Sequence, residues 1–75
     1  MAEPEIIEFS LEGRDYIELN NLLKITGLCS SGGEAKILIS AGNVKVDDSI
    51  ELRKRCKLRP NQQVSFKGTR IIIKQ

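Results

Sequence analysis

Histidine and tryptophan are absent from the chain, which has one tyrosine, two phenylalanines, two cysteines and two prolines. Each shortage removes a class of function. Without histidine, the commonest general base and the commonest neutral metal ligand are both missing. No recognisable paired-carboxylate motif or metal-ligand cluster replaces it, so catalytic residues, metals and other cofactors are not expected, and the chain does not read as an enzyme. Cys29 and Cys56 are too few and too far apart in sequence for a disulfide framework, and neither belongs to a C-x-x-C pair. They read as reduced thiols. Three aromatic residues, Phe9, Tyr16 and Phe66, are too few for the stacking platforms typical of single-strand binders. No apolar run approaches the roughly 18 residues of a membrane span, and "MAEPEIIEF" lacks the basic start and apolar stretch of a signal peptide. A cytoplasmic protein without membrane association is expected.

What is present is charge, unevenly distributed. The formal net charge is +2, yet residues 1–35 hold two cations (Arg14, Lys24) against seven acids, and residues 36–75 hold ten cations against three. Five cations fall between Arg53 and Arg59 in "ELRKRCKLRP". If that stretch is extended, Arg53, Arg55, Lys57 and Arg59 share one face, while Leu52, Cys56 and Leu58 share the other, interrupted by Lys54. The parity predicts a strand with an apolar back and a basic front. A basic side suits a polyanion, while the acidic half resists indiscriminate sticking.

Seventy-five residues make one domain with a thin core. Residues 1–5 read as an acidic, disordered tail, and 6–75 as the domain. "IIEFSL" alternates Ile7, Phe9 and Leu11 against Glu8 and Ser10, the pattern of a half-buried strand. Leu19, Leu22, Leu23 and Thr26 mark a helix stopped by Gly27. Ser31 and Glu34 have capping-box spacing for a second helix, with Ala35, Leu38, Ile39 and Gly42 along one side. "VKV" (44–46), the turn Asp47-Asp48, a return through the basic segment, a turn at Pro60-Asn61, and a hairpin of "VSF" and "RIIIK" complete the chain. The expected fold class is α+β: two short packed helices against a small, mainly antiparallel sheet of four to five strands.

The succession "ELNNLLKITGL", "SSGGEAKILISAGNVKVDD" and "ELRKRCKL" resembles the S-four-type RNA-binding domain, also called the alpha-L motif, in its small stand-alone bacterial form. The resemblance spans roughly residues 17–66. Its most telling part is Glu34-Ala35-Lys36 leading to Gly42-x-Val44-x-Val46-Asp47. It implies binding of structured RNA, of the ribosomal or transfer class, through the second helix and the hairpin after it, and nominates Lys36, Lys45, Arg53 and Arg55. The basic segment adds Lys54, Lys57 and Arg59. Ser31, Gly32 and Gly33 form a candidate phosphate-docking helix start, since free N–H groups and the helix dipole favour an anion there. Two departures stand out: Gly32 occupies a place where many members carry arginine, and Asp48 one where glycine often completes the turn.

Two other functions fit less well. A helix-turn-helix DNA binder would read bases from its second helix, which offers Glu34, Lys36 and Ser40, a poor set. A protein-interaction adaptor could use the acidic first half, which shows no apolar anchor. A monomer, associated with RNA and with the ribosome as one candidate setting, is the expectation.

Overall fold

The computed structural model describes residues 4–75. Residues 1–3 of the expected tail lie outside the described residues, and Glu5 is not tail. Its N–H donates to the carbonyl of Gly68 at 3.0 Å, and it opens strand β1 (Glu5–Ser10).

The leucine spacing becomes helix α1 (Leu19–Ile25), with Leu19, Leu22 and Leu23 fully buried. The capping signal becomes α2 (Gly32–Ser40), where Ser31 Oγ accepts from the Glu34 N–H at 3.1 Å. Such a cap contributes about 1 kcal/mol. Only half of the expected box forms: the Glu34 carboxylate accepts from Ser30 Oγ at 2.7 Å. Both helices end where the chain must turn left-handed, at Gly27 (φ 80°) and Gly42 (φ 84°). After α2 the N–H groups of Gly42 and Asn43 donate back to Ile39 and Leu38, closing the last turn.

Five strands form one sheet in the order β1-β7-β6-β3-β4, with β3 Val44–Val46, β4 Ser49–Ile50, β6 Gln63–Phe66 and β7 Thr69–Lys74. All neighbours are antiparallel except β1 and β7, which run parallel. A second sheet pairs β2 (Ile17–Glu18) with β5 (Lys57–Leu58). The tight turns are Asp47-Asp48 (φ 50° and 68°) and Lys67-Gly68 (φ 48° and 77°), left-handed pairs whose twist matches that of the flanking strands. Aspartate tolerates this conformation, which accounts for Asp48 in place of glycine. The Asp47 carboxylate also accepts from Gln63 N at 3.0 Å and Gln62 Nε2 at 3.2 Å, tying the turn to β6.

Alternation sorts the large sheet into two faces. Val44, Val46, Val64, Phe66, Ile71 and Ile73 join the α1 leucines, Ala35 and Ile39 in one buried cluster. Lys45, Ser65, Arg70 and Ile72 point away from it, by parity with those inward neighbours. The Ile71-Ile72-Ile73 run thus belongs to an interior strand, with Ile72 half-buried on its outer face.

The basic strand is corrected. Only Lys57–Leu58 is strand, and Arg53 to Cys56 form a turn with Cys56 N–H donating to Arg53 O at 3.3 Å. Leu52, expected on an apolar back, is 58% exposed. A strand needs a neighbour to take its carbonyls, and those of Lys54 and Cys56 are taken by a helix instead.

Candidate nucleic-acid interface

Helix α1 has no side-chain cap at Glu18. Its first free donors are satisfied by the basic loop: Leu19 N–H donates to Cys56 O at 2.9 Å, and Asn20 N–H to Lys54 O at 3.1 Å. The β2/β5 pairs Ile17–Leu58 and Glu18–Lys57 add a second fastening. Main chain and apolar side chains therefore hold the loop, and its cations stay exposed.

Arg53, Arg55 and Lys57, with Cys56, line an open depression of about 370 Å³. Lys57 Nζ lies 5.0 Å, and Arg59 Cζ 5.8 Å, from the centre of the Tyr16 ring. Lys54 is exposed on the same loop. Lys45 projects from β3 and lines a separate depression of about 230 Å³ with Ser65 and Lys67. Lys36, half-buried on α2, lines neither. The structure thus gathers Arg53, Arg55 and Lys57 at one depression and sets Lys45 beside Lys67 at another. At the α2 start, a side chain on Gly32 would meet nothing within 4 Å, and one on Gly33 only Ser31 Oγ at 3.8 Å. The two glycines leave the approach open, but Glu34 places an acid beside it.

One cation is already engaged. The Glu51 carboxylate accepts from Arg53 Nε at 2.9 Å, Arg53 Nη2 at 3.1 Å and the Arg53 N–H at 3.0 Å. These bonds hold the Glu51 carboxyl down at about 2, and the same pairing pushes Arg53 up. Burial pushes the Cys56 thiol up, helped by Glu51, and burial does the same to Cys29, helped by Glu34. Both are free thiols, protonated at neutral pH and poor nucleophiles.

Because the folded Glu51 carboxyl is lowered, its contribution to stability is full above the ordinary carboxylate value. It fades as pH falls from about 4.5 toward 2. Thermal melts across that range should show wild type above Glu51→Gln at neutral pH and the two converging near pH 2. The gap should be small, since the Arg53 side chain is 77% exposed and solvent screens the pair.

A family model described as the S4 domain matches residues 9–74. The chain belongs to the S4 domain family. The relative from Escherichia coli (strain K12), named "Putative RNA-binding protein YbcJ", is 52% identical over 60 residues, 80% of this chain and 86% of the relative. The Shigella flexneri "Uncharacterized protein YbcJ" matches with the same identity and coverage. The solution structure of E. coli YbcJ, described as revealing an alfaL motif involved in RNA-binding, aligns with a TM-score of 0.73 at 41% identity. It covers 100% of this chain and 95% of that one.

In this S4 domain, sequence reasoning missed one feature of the site. The Glu51–Arg53 clamp does not show in a stretch read for its cations alone, because the acid stands just before the first of them. From the sequence Tyr16 admits either a place at the edge of the core or stacking on an exposed base, and its place just before Ile17 sets it beside the basic segment once β2 and β5 pair. No helix among the described residues is long and apolar enough to cross a membrane, and no group of three or more potential metal ligands occurs among them.

Proposed function

We propose that this S4 domain binds structured RNA through the loop from Arg53 to Arg59, reading phosphates and shape. The observation that carries this reading is the convergence of Arg53, Arg55 and Lys57 on one open depression, held there by backbone bonds to α1. The relative described as carrying an RNA-binding alfaL motif supports it. Lys54 and Arg59 extend the surface along the loop, and Lys36 and Lys45 supply further contacts outside its depression. Ser31, Gly32 and Gly33 add backbone donors for one phosphate. The domain acts by binding, without catalysis, as a cytoplasmic monomer on ribosomal or transfer RNA.

The test is a salt titration. If about four phosphates are neutralised, log affinity falls against log salt with a slope of roughly −3, close to a hundredfold between about 50 and 200 mM. Fluorescence anisotropy against a stem-loop RNA and a duplex DNA at matched salt should show that slope and tighter binding to RNA. Affinity independent of salt, or DNA bound as tightly as RNA, would overturn the proposal. The DNA result would favour the helix-turn-helix alternative.

A further inference from the structure

Continuing the β2/β5 register by one residue sets Tyr16 opposite Arg59, just as Ile17 faces Leu58 and Glu18 faces Lys57. Ile17 and Leu58 are buried, so alternation turns Tyr16, Glu18, Lys57 and Arg59 outward together. Glu18 is the cross-strand partner of Lys57, yet the Lys57 ammonium stands over the Tyr16 ring, and no ion pair joins Glu18 to Lys57 among the described residues. Two cations and the ring of Tyr16, a residue 38% exposed, therefore form one cluster at the end of the basic loop.

The ring stands on a boundary. On one side lie the loop cations. On the other is an open depression of about 540 Å³ to which Tyr16 also contributes, lined by Asp15, Glu18 and Asn21 together with Arg14, whose Nε donates to the Leu11 carbonyl at 3.0 Å. This side offers carboxylate and amide acceptors for the amino groups of a base, which the loop side, lined by cations, does not.

We propose that Tyr16 stacks an unpaired base of the bound RNA while Lys57 and Arg59 hold the adjoining phosphates. The domain would then prefer RNA with a loop or bulge to uninterrupted duplex. This rests on the RNA-binding reading and deepens it. A paired base keeps its face inside the helix, whereas a splayed one offers it to an aromatic ring. The cations gathered at the ring are already placed for the phosphates on either side of such a base, and their guanidinium and ammonium groups exchange a weak ring contact for a charge-assisted one.

The chain supplies its own probe, since Tyr16 is its single tyrosine and there is no tryptophan. Intrinsic fluorescence therefore reports this ring. Wild type, Tyr16→Phe and Tyr16→Leu would be titrated with a stem capped by an unpaired loop and with a blunt duplex of equal phosphate count, after circular dichroism has confirmed equal folding. The expected results are quenching of wild-type emission by the stem-loop and about a tenfold loss of stem-loop affinity in Tyr16→Leu. Duplex affinity should be unchanged, and Tyr16→Phe should retain stem-loop affinity. Equal losses on both RNAs would overturn the proposal, making the ring only a support for the cations, and so would no loss on either. If wild type bound neither RNA, the RNA-binding reading itself would fall.

Discussion

Replacing Lys54, Arg55, Lys57 and Arg59 together with glutamine should abolish most RNA binding while leaving the fold intact. All four side chains are exposed. What fixes the loop is main chain, the carbonyls of Lys54 and Cys56 accepting from α1, together with buried Cys56 and Leu58, and none of these is altered. Each cation withdrawn from a phosphate should make the salt slope shallower by about one, and all RNAs should weaken alike. The expected loss is about a hundredfold or more at roughly 50 mM salt, with a much shallower slope, the remainder coming from Arg53, Lys36 and Lys45. Anisotropy titrations check both, and retention within about threefold of wild type would exclude the loop as the RNA-binding surface. Arg53→Gln alone is expected to cost less than Arg55→Gln. The Arg53 guanidinium already shares its charge with Glu51 in a two-pronged pair.

Ile71→Ala should be strongly destabilising. Ile71 has no exposed surface and lies in β7 between Ile7 of β1 and Val64 of β6. The substitution removes buried apolar groups and leaves a cavity, at a cost of about 2–5 kcal/mol. A domain of this length has roughly 4–11 kcal/mol of stability in total. Since 1 kcal/mol moves the midpoint of a small domain by about 4–8 °C, a drop of at least about 8 °C is expected in thermal unfolding. Ile6→Ala and Ile37→Ala are the controls: those side chains are 59% and 71% exposed, and each should change stability by no more than about 0.5 kcal/mol. If Ile71→Ala also fell within that margin, the buried cluster would not be what holds the sheet.

Local pattern made much of this legible. Leu19, Leu22 and Leu23, the Ser31 cap, the Gly27 and Gly42 stops and the Asp47-Asp48 turn are short-range signals, and each appears in the structure where its residues placed it. Burial alternates as parity predicts from Cys56 to Arg59, but Leu52 is exposed. Parity assumes an extended chain, whereas residues 53–56 turn, and the carbonyls of Lys54 and Cys56 accept from the uncapped start of α1. That exchange is non-local, and no periodicity announces it. The pairing of β1 with β7 was illegible for the same reason: alternation in "IIEFSL" shows that one face is buried but does not name the neighbour. At the candidate site, the loop cations could be read from composition. The engagement of Arg53 by Glu51 and the gathering of Lys57 and Arg59 at Tyr16 depend on side-chain direction.

The parallel pairing of β1 with β7 also sets a timetable for synthesis. The hairpins β3/β4 and β6/β7 can close as soon as each has been made, but β1 must wait, extended and with one apolar side uncovered, until Thr69 to Lys74 arrive. Closing so long a loop is entropically slow. A chain halted before those residues would carry an unpaired edge prone to joining a neighbour's strand.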